Sequence, residues 1–310
     1  MIRVNVYAQN GGWLFEDLKQ HFARCRVAGI QVLASDEPLI TADAWVVIRT
    51  HEAEASPDLK RTVVCIHDLY DHSGMYRPGG MRQAVRHAGA LALSHPDQRR
   101  ILRASDVSLE GLRLLERPLG ALSIFQVRQR PPQRFCVGWV GRNHWRKRPE
   151  WFVEAVQGLG LSPAQLRAVM IGLDLGQFVR HLQISGVDCR YYPRETHSIG
   201  EYPRLYQELD CVVITSCTEA GPLPLFEALA TGLPVISTPV GWAPMLAEKA
   251  PQFVRLASDP AQITARLNQL RAEKQTMFEK RCEMAGVVAE WTLDAWLVEV
   301  LRLAASLVRT

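Results

Sequence analysis

The chain predicts an α/β protein of two Rossmann-like domains facing each other across a cleft. Three observations carry that expectation. Short apolar runs alternate with amphipathic stretches along most of the sequence. The alternation starts afresh after Pro131-Pro132, and a length of 310 residues suits two domains of ordinary size.

The first unit of the pattern is a strand from Ile2 to Tyr7, a loop at Gly11-Gly12, and a helix through Leu14, Leu18 and Phe22. Strands follow at 30–34, 44–48, 62–66 and 90–93, with helices near 80–88 and 96–103. The stretch 105–130 is less periodic and reads as the end of the first domain. Two consecutive prolines fix the backbone and withhold two N–H donors, so Pro131-Pro132 reads as a linker. The second domain has strands at 136–140, 167–171, 188–191, 211–215 and 235–238. Its helices fall at 149–158, 176–183, 201–208, 224–231 and 260–275, and 277–308 reads as amphipathic helix carrying Trp291 and Trp296. The domains expected are therefore 1–130, 131–280 and a helical tail, 281–310.

Hydrophobic residues at 47% and charged residues at 22% argue against disorder. A net charge of +4 leaves nucleic acid, an anionic membrane surface and a phosphorylated small substrate all open. Seven dispersed cysteines without CxxC spacing read as reduced thiols of a cytoplasmic protein. MIRVNVYAQNGG lacks the form of a signal peptide, and no apolar run reaches the roughly 18 residues needed to span a bilayer. A peripheral place at the inner membrane surface stays open.

Two glycine loops are candidates for phosphate contact. Gly11 and Gly12 stand between strand and helix, where backbone N–H groups can approach an anion. The run GGWLFE lacks the GxGxxG spacing of a nicotinamide site, and a plain tight turn explains it equally well. The stretch 128–148 carries Arg128, Arg130, Arg134, Arg142, Arg146, Lys147 and Arg148 and no acidic residue. Gly141-Arg142-Asn143 follows the strand CVGWV, at the end where open α/β sheets bind ligands. Arg142 and Lys147 suit a pair of phosphates, the first as a fork and the second as a point charge.

The segment 210–245 is the most informative. A buried strand runs into a loop with Glu219, and a short helix then carries Glu227. A carboxylate can accept two hydrogen bonds from a vicinal diol, of a ribose or a sugar. The start of that helix, at Leu223, Pro224 and Leu225, adds N–H donors and positive dipole for a diphosphate. A helix-start acid and a solvated loop acid explain the two glutamates as readily.

This segment closely resembles the donor-binding signature of the retaining GT-B glycosyltransferases, the group 1 glycosyl transferases that include sucrose synthases and many bacterial cell-surface sugar transferases. The signature runs from an acidic residue across seven positions to a second Glu, then a small-residue helix, Gly-x-Pro-Val-Ile and a glycine turn. Here it is Glu219 to Glu227, Ala228-Leu229-Ala230-Thr231-Gly232-Leu233-Pro234-Val235-Ile236, and Gly241. Val137 to Arg142 and then Lys147 are similar to the family's phosphate-contacting Arg and Lys. Tyr206-Gln207-Glu208-Leu209-Asp210 is similar to its approach to the signature, and Val64-Cys65-Ile66-His67-Asp68 to the strand-end histidine facing the donor sugar. Gly241-Trp242-Ala243-Pro244-Met245 departs from the family's Gly-Gly-x-x-Glu, and the first domain is short.

The resemblance implies a GT-B architecture whose last helix crosses back to the first domain. It implies a nucleoside-diphosphate sugar donor, a UDP- or GDP-hexose, and neither a cofactor nor a metal. Glu227 would hold the ribose, Arg142 and Lys147 the diphosphate, and Glu219 the sugar hydroxyls. His67 would sit beside the sugar, and Gly11, Gly12 and Gly141 would let backbone approach the donor. The acceptor is expected to be a hydroxyl of a glycan or lipid-linked glycan precursor. Modified DNA as acceptor, and an epimerase or hydrolase of the same fold, are the alternatives.

Overall fold

A computed structural model of the protein describes residues 1–9, 13–67, 85–104 and 108–308. The chain divides into two compact units, the first made of Met1–Leu119 with Leu293–Thr310 and the second of Gly120–Thr292. Each is a parallel β-sheet with helices, the Rossmann-like α/β organisation expected from the sequence.

The first unit contains β1 (Ile2–Tyr7), β2 (Ile30–Ser35), β3 (Ala44–Val47), β4 (Thr62–Ile66), β5 (Ala90–Leu93) and β6 (Arg113–Glu116). Their order is β2-β1-β3-β4-β5-β6, with every pairing parallel. Strands β3, β4 and β5 are buried at every position. That explains why they read as unbroken apolar runs: a central parallel strand is covered on both faces. Helix α1 (Trp13–Arg24) packs on β1 and β2, and α2 (Gln98–Ala104) follows β5. A late helix, Leu293–Ser306, returns to this unit and packs against β1, β3 and β4, burying Trp296, Leu297, Val300 and Leu301.

The second unit contains β7 (Phe135–Arg142), β8 (Leu166–Leu173), β9 (Asp188–Pro193), β10 (Cys211–Ile214), β11 (Val235–Ser237) and β12 (Val254–Leu256). The order is β12-β11-β10-β7-β8-β9, again all parallel. Between them run α3 (Pro149–Gln157), α4 (Gly176–Ile184), α5 (Tyr202–Tyr206), α6 (Leu223–Thr231) and α7 (Ala243–Lys249). Then come α8 (Pro260–Ala272), α9 (Lys274–Glu279) and α10 (Arg281–Val287); the helix at Leu293–Ser306 is α11.

Helix α6 shows how local sequence sets an element. Pro222 and Pro224 fix the backbone at its entry, and Gly232 closes it at φ 77° with N–H bonds back to Ala228 and Leu229. Strands β6 and β12 and the split of 260–279 into two helices are additions to the sequence expectation. Among the described residues no helix is long and apolar enough to cross a membrane.

The seven basic residues of 128–148 do not form one patch. Arg128 is fully buried, donating from Nη1 to Leu209 O at 2.7 Å and to Asp210 Oδ1 at 3.1 Å. Lys274 Nζ lies 3.0 Å from Asp210 Oδ2, which also accepts from the Cys136 N–H. Arg134 pairs with Asp188 at 2.7 Å, Arg130 is exposed and Arg146 is buried.

Candidate donor site at the ends of β7 and β10

In the second sheet β7 and β10 are neighbours whose onward connections leave in opposite directions, one to β8 and the other to β11. This is the topological switch point of an open α/β sheet, where the crevice at the strands' carboxyl ends receives ligands. Arg142 ends β7, and Glu219 lies on the loop following β10.

The two loops are tied together. Thr215 Oγ1 donates to Lys147 O at 2.5 Å and the Cys217 N–H to Arg146 O at 2.8 Å. Arg148 donates from Nε to Thr215 O at 2.8 Å and from Nη2 to Ser216 O at 2.9 Å. Trp139 Nε1 donates to Thr215 Oγ1 at 2.9 Å, joining the buried strand to the same loop. Arg148 adopts φ 47°, a left-handed conformation that costs a non-glycine residue about 1 kcal/mol or more. Its two carbonyl bonds and its stacking at 3.7 Å over Trp151 hold it there.

These ties bring the expected residues together. Lys147 and Glu219, 72 positions apart, form an ion pair, with side chains 23% and 13% exposed. Ser216 Oγ donates to the same carboxylate oxygen, Oε1, at 2.7 Å. An ammonium has three donors, so Lys147 keeps capacity for phosphate oxygens while bound to Glu219. Oε2 of Glu219 accepts nothing from the described residues and is available to hydroxyl groups. Arg142 is half-buried at the strand end, and among the described residues no carboxylate pairs with it. Gly141 stands opposite Gly172 of β8, where φ is 142° and a Cβ would lie 1.6 Å from the Gly141 carbonyl oxygen. The two strands therefore come together at the site as bare backbone.

Glu227 lies on α6 and is buried, with 5% of its surface exposed. Its Oε2 accepts from the hydroxyl of Tyr206 at 2.5 Å. Burial raises the Glu227 carboxyl to about 7, against the partly offsetting effect of that hydrogen bond. Leu223 and Pro224 are half-buried in the first turn of α6, and no side chain caps the turn. Leu225 is fully buried and its N–H is bonded to Pro222 O at 3.0 Å. Pro224 has no N–H to give, so the first-turn donor open to an anion is that of Leu223.

In the first unit His67 follows β4, with Nδ1 3.1 Å from Ser94 Oγ at the end of the neighbouring β5. Its ring sits 6.1 Å from Phe15 and 5.7 Å from Trp296. Gly11, Gly12 and Asp68 lie outside the described residues. Among those described, no group of three or more His, Cys, Asp or Glu is arranged to hold a metal ion.

Sequence reasoning missed Tyr206 as the partner of Glu227, Ser94 as the partner of His67, and Arg148 as the clamp between loops. Ser216, three residues before Glu219, carried the only local signal, the spacing of a side-chain turn.

Residues 134–273 match the model of the family described as Glycosyl transferases group 1. Among solved structures, Anabaena HepE, in complex with UDP and glucose, is similar at TM-score 0.74 and 13% identity, with 100% of each chain covered. A sucrose-phosphate synthase from Thermosynechococcus elongatus is similar at TM-score 0.72 and 15% identity over 99% of each chain. A chain of the GtfA/B complex matches 87% of this chain at TM-score 0.63 and 16% identity, and this protein spans only 58% of its length. No protein of curated function matches the sequence. Residues 134–273 are thus similar to the glycosyl transferases group 1 family, and the chain has the GT-B fold of its structural neighbours.

Proposed function

We propose that the protein is a retaining, metal-independent glycosyltransferase that moves a hexose from a UDP- or GDP-sugar to a hydroxyl of a glycan or lipid-linked glycan precursor, in the cytoplasm or at the inner membrane surface. The observation that carries this reading is the grouping of Arg142, Lys147 and Glu219 at the switch point, with Glu227 on the adjoining helix. Arg142 and Lys147 would take the diphosphate and neutralise the charge that grows on it as it departs. The first-turn amide of Leu223 would add a donor, with Pro224 and Leu225 shaping that turn. Gly141, with no side chain, would let the backbone approach the donor, and Gly11 and Gly12 would do the same on the first unit.

Glu227 would accept from the ribose hydroxyls, and Glu219 Oε2 from those of the sugar, orienting the ring. His67 would lend position and polarity beside it. The bond from the anomeric carbon to the diphosphate breaks as the acceptor oxygen bonds to that carbon on the same face. The acceptor's proton passes to the departing phosphate oxygen. The known structures that support this reading include HepE with UDP and glucose, and S. aureus TarM with UDP and α-GlcNAc-glycerol.

The test is nucleotide release from a panel of UDP-, GDP-, ADP- and CMP-sugars in the presence of EDTA, with wild type, Glu219→Ala and Arg142→Ala. One sugar nucleotide should be turned over, and both variants should lose at least about 100-fold, the scale set by a lost transition-state contact. An altered sugar without acceptor would indicate an epimerase. Absence of both release and binding across the panel would overturn the reading.

A further inference from the structure

The buried pair of Tyr206 and Glu227 assigns a task to a residue that makes no direct claim on substrate. We infer that Tyr206 is a positioning residue for donor binding, holding one oxygen of Glu227 so that the other is presented to the ribose hydroxyls. This rests on the proposed reading of Glu227 as the ribose-binding carboxylate.

The geometry is direct. Tyr206, the last residue of α5, is fully buried and donates its hydroxyl to Glu227 Oε2 at 2.5 Å. Oε1 accepts no hydrogen bond from the described residues. The phenol is itself held in place: Phe125 packs edge-on against its ring with centroids 5.2 Å apart. Burial first, and then the carboxylate beside it, keeps the Tyr206 hydroxyl protonated, so it donates to Oε2 whenever Glu227 is ionised.

A carboxylate in such a place has little else to keep it charged. From α5 the ionisable groups near it are Tyr206 and, behind it, Tyr202. From α10, packed on the same helix, Arg281 turns its guanidinium to the carbonyls of Arg128 and Phe278, while Cys282 and Glu283 are exposed. Strands β10 and β11 offer Cys211 alone, a thiol that burial keeps neutral. The phenol is therefore the one described donor that favours the ionised form of Glu227. Removing it leaves burial unopposed and moves the carboxyl further toward its protonated form, in which the ribose hydroxyls lose a charged acceptor for a weaker neutral one.

Calorimetric titration with UDP and with GDP from pH 5.5 to 9 tests this on wild type, Tyr206→Phe and Glu227→Gln, each first checked for a native circular dichroism spectrum. Wild-type affinity for the nucleotide that binds should climb with pH through a midpoint at about 7. In Tyr206→Phe the ratio to wild type, which cancels the ligand's own ionisation, should show the midpoint raised by about one pH unit. That shift corresponds to about fivefold weaker binding at pH 7, recovering by pH 9. The 2′,3′-dideoxy form of the same nucleotide should bind Tyr206→Phe and wild type alike. A loss of affinity equal at every pH, or equal for the dideoxy nucleotide, would mean that Tyr206 only packs, and the inference fails. Should Glu227→Gln bind as tightly as wild type at pH 8, the ribose reading of Glu227 fails and takes this inference with it.

Discussion

Glu227 carries a pH signature in stability as well as in binding. Its carboxyl is raised by burial from 4.5 to about 7, so between those values the folded chain holds a proton that the unfolded chain has released. Stability from this group is full below about 4.5 and declines as pH rises through 7, where a buried charge must be tolerated. Glu227→Gln, an isostere of the protonated form, should gain in thermal midpoint relative to wild type across that window, with the difference constant above about 8. Thermal scans of both proteins at pH 5 and pH 8 check the sign. Arg142→Ala should cost about 10–100-fold in nucleoside-diphosphate affinity, the worth of a charge-assisted hydrogen bond, with no change in melting because nothing described leans on its guanidinium. Glu219, Glu227, Arg142 and Lys147 were readable because their spacing and their places beside apolar strands are local properties of the chain. Tyr206, Ser94 and Arg148 were not, since their partners lie 21, 27 and 67 to 68 positions away and only folding sets those distances.

Elements were legible in proportion to their burial. Strands β3, β4, β5 and β10 are covered throughout, and their apolar runs stood out. Strand β6 is an edge of four residues, half-exposed, reading RLLE, and β12 has three; neither offers a period to detect. The seam between β7 and β8 depends on Gly172, where a methyl group would collide with the Gly141 carbonyl. Gly172→Ala should lower stability by about 2 kcal/mol or more and weaken nucleotide binding together, because the displaced strand end carries Arg142. Denaturant unfolding with nucleotide titration would separate this from a purely structural defect. The charge count of the basic stretch does not show that Arg128 belongs to a buried cluster with Asp210 and Lys274. Asp210→Ala would strand two cations and should cost about 3–5 kcal/mol, a large loss by chemical denaturation.

At the scale of the whole molecule the two sheets differ in order but share the parallel α/β scheme, which the alternation of strand and helix in the sequence announces. The first unit is discontinuous, closed by α11 from the far end of the chain. Trp296, fully buried on α11, contacts Phe22 at 5.8 Å and His67 at 5.7 Å between ring centroids. Trp296→Ala should therefore cost about 3–5 kcal/mol, concentrated in one unit. Hydrogen exchange should show lost protection in β1, β3 and β4 with β7, β8 and β10 unchanged; a uniform loss would mean the units unfold as one.

That late helix also sets a schedule for synthesis. Residues 1–119 leave the ribosome without the segment that will pack against β1, β3 and β4, and it emerges only after the whole of the second unit. At roughly 5–20 residues per second the delay is on the order of 10–35 s. For that interval the first-made sheet is a nascent surface that a chaperone, or a neighbouring chain, can reach before its own last helix does.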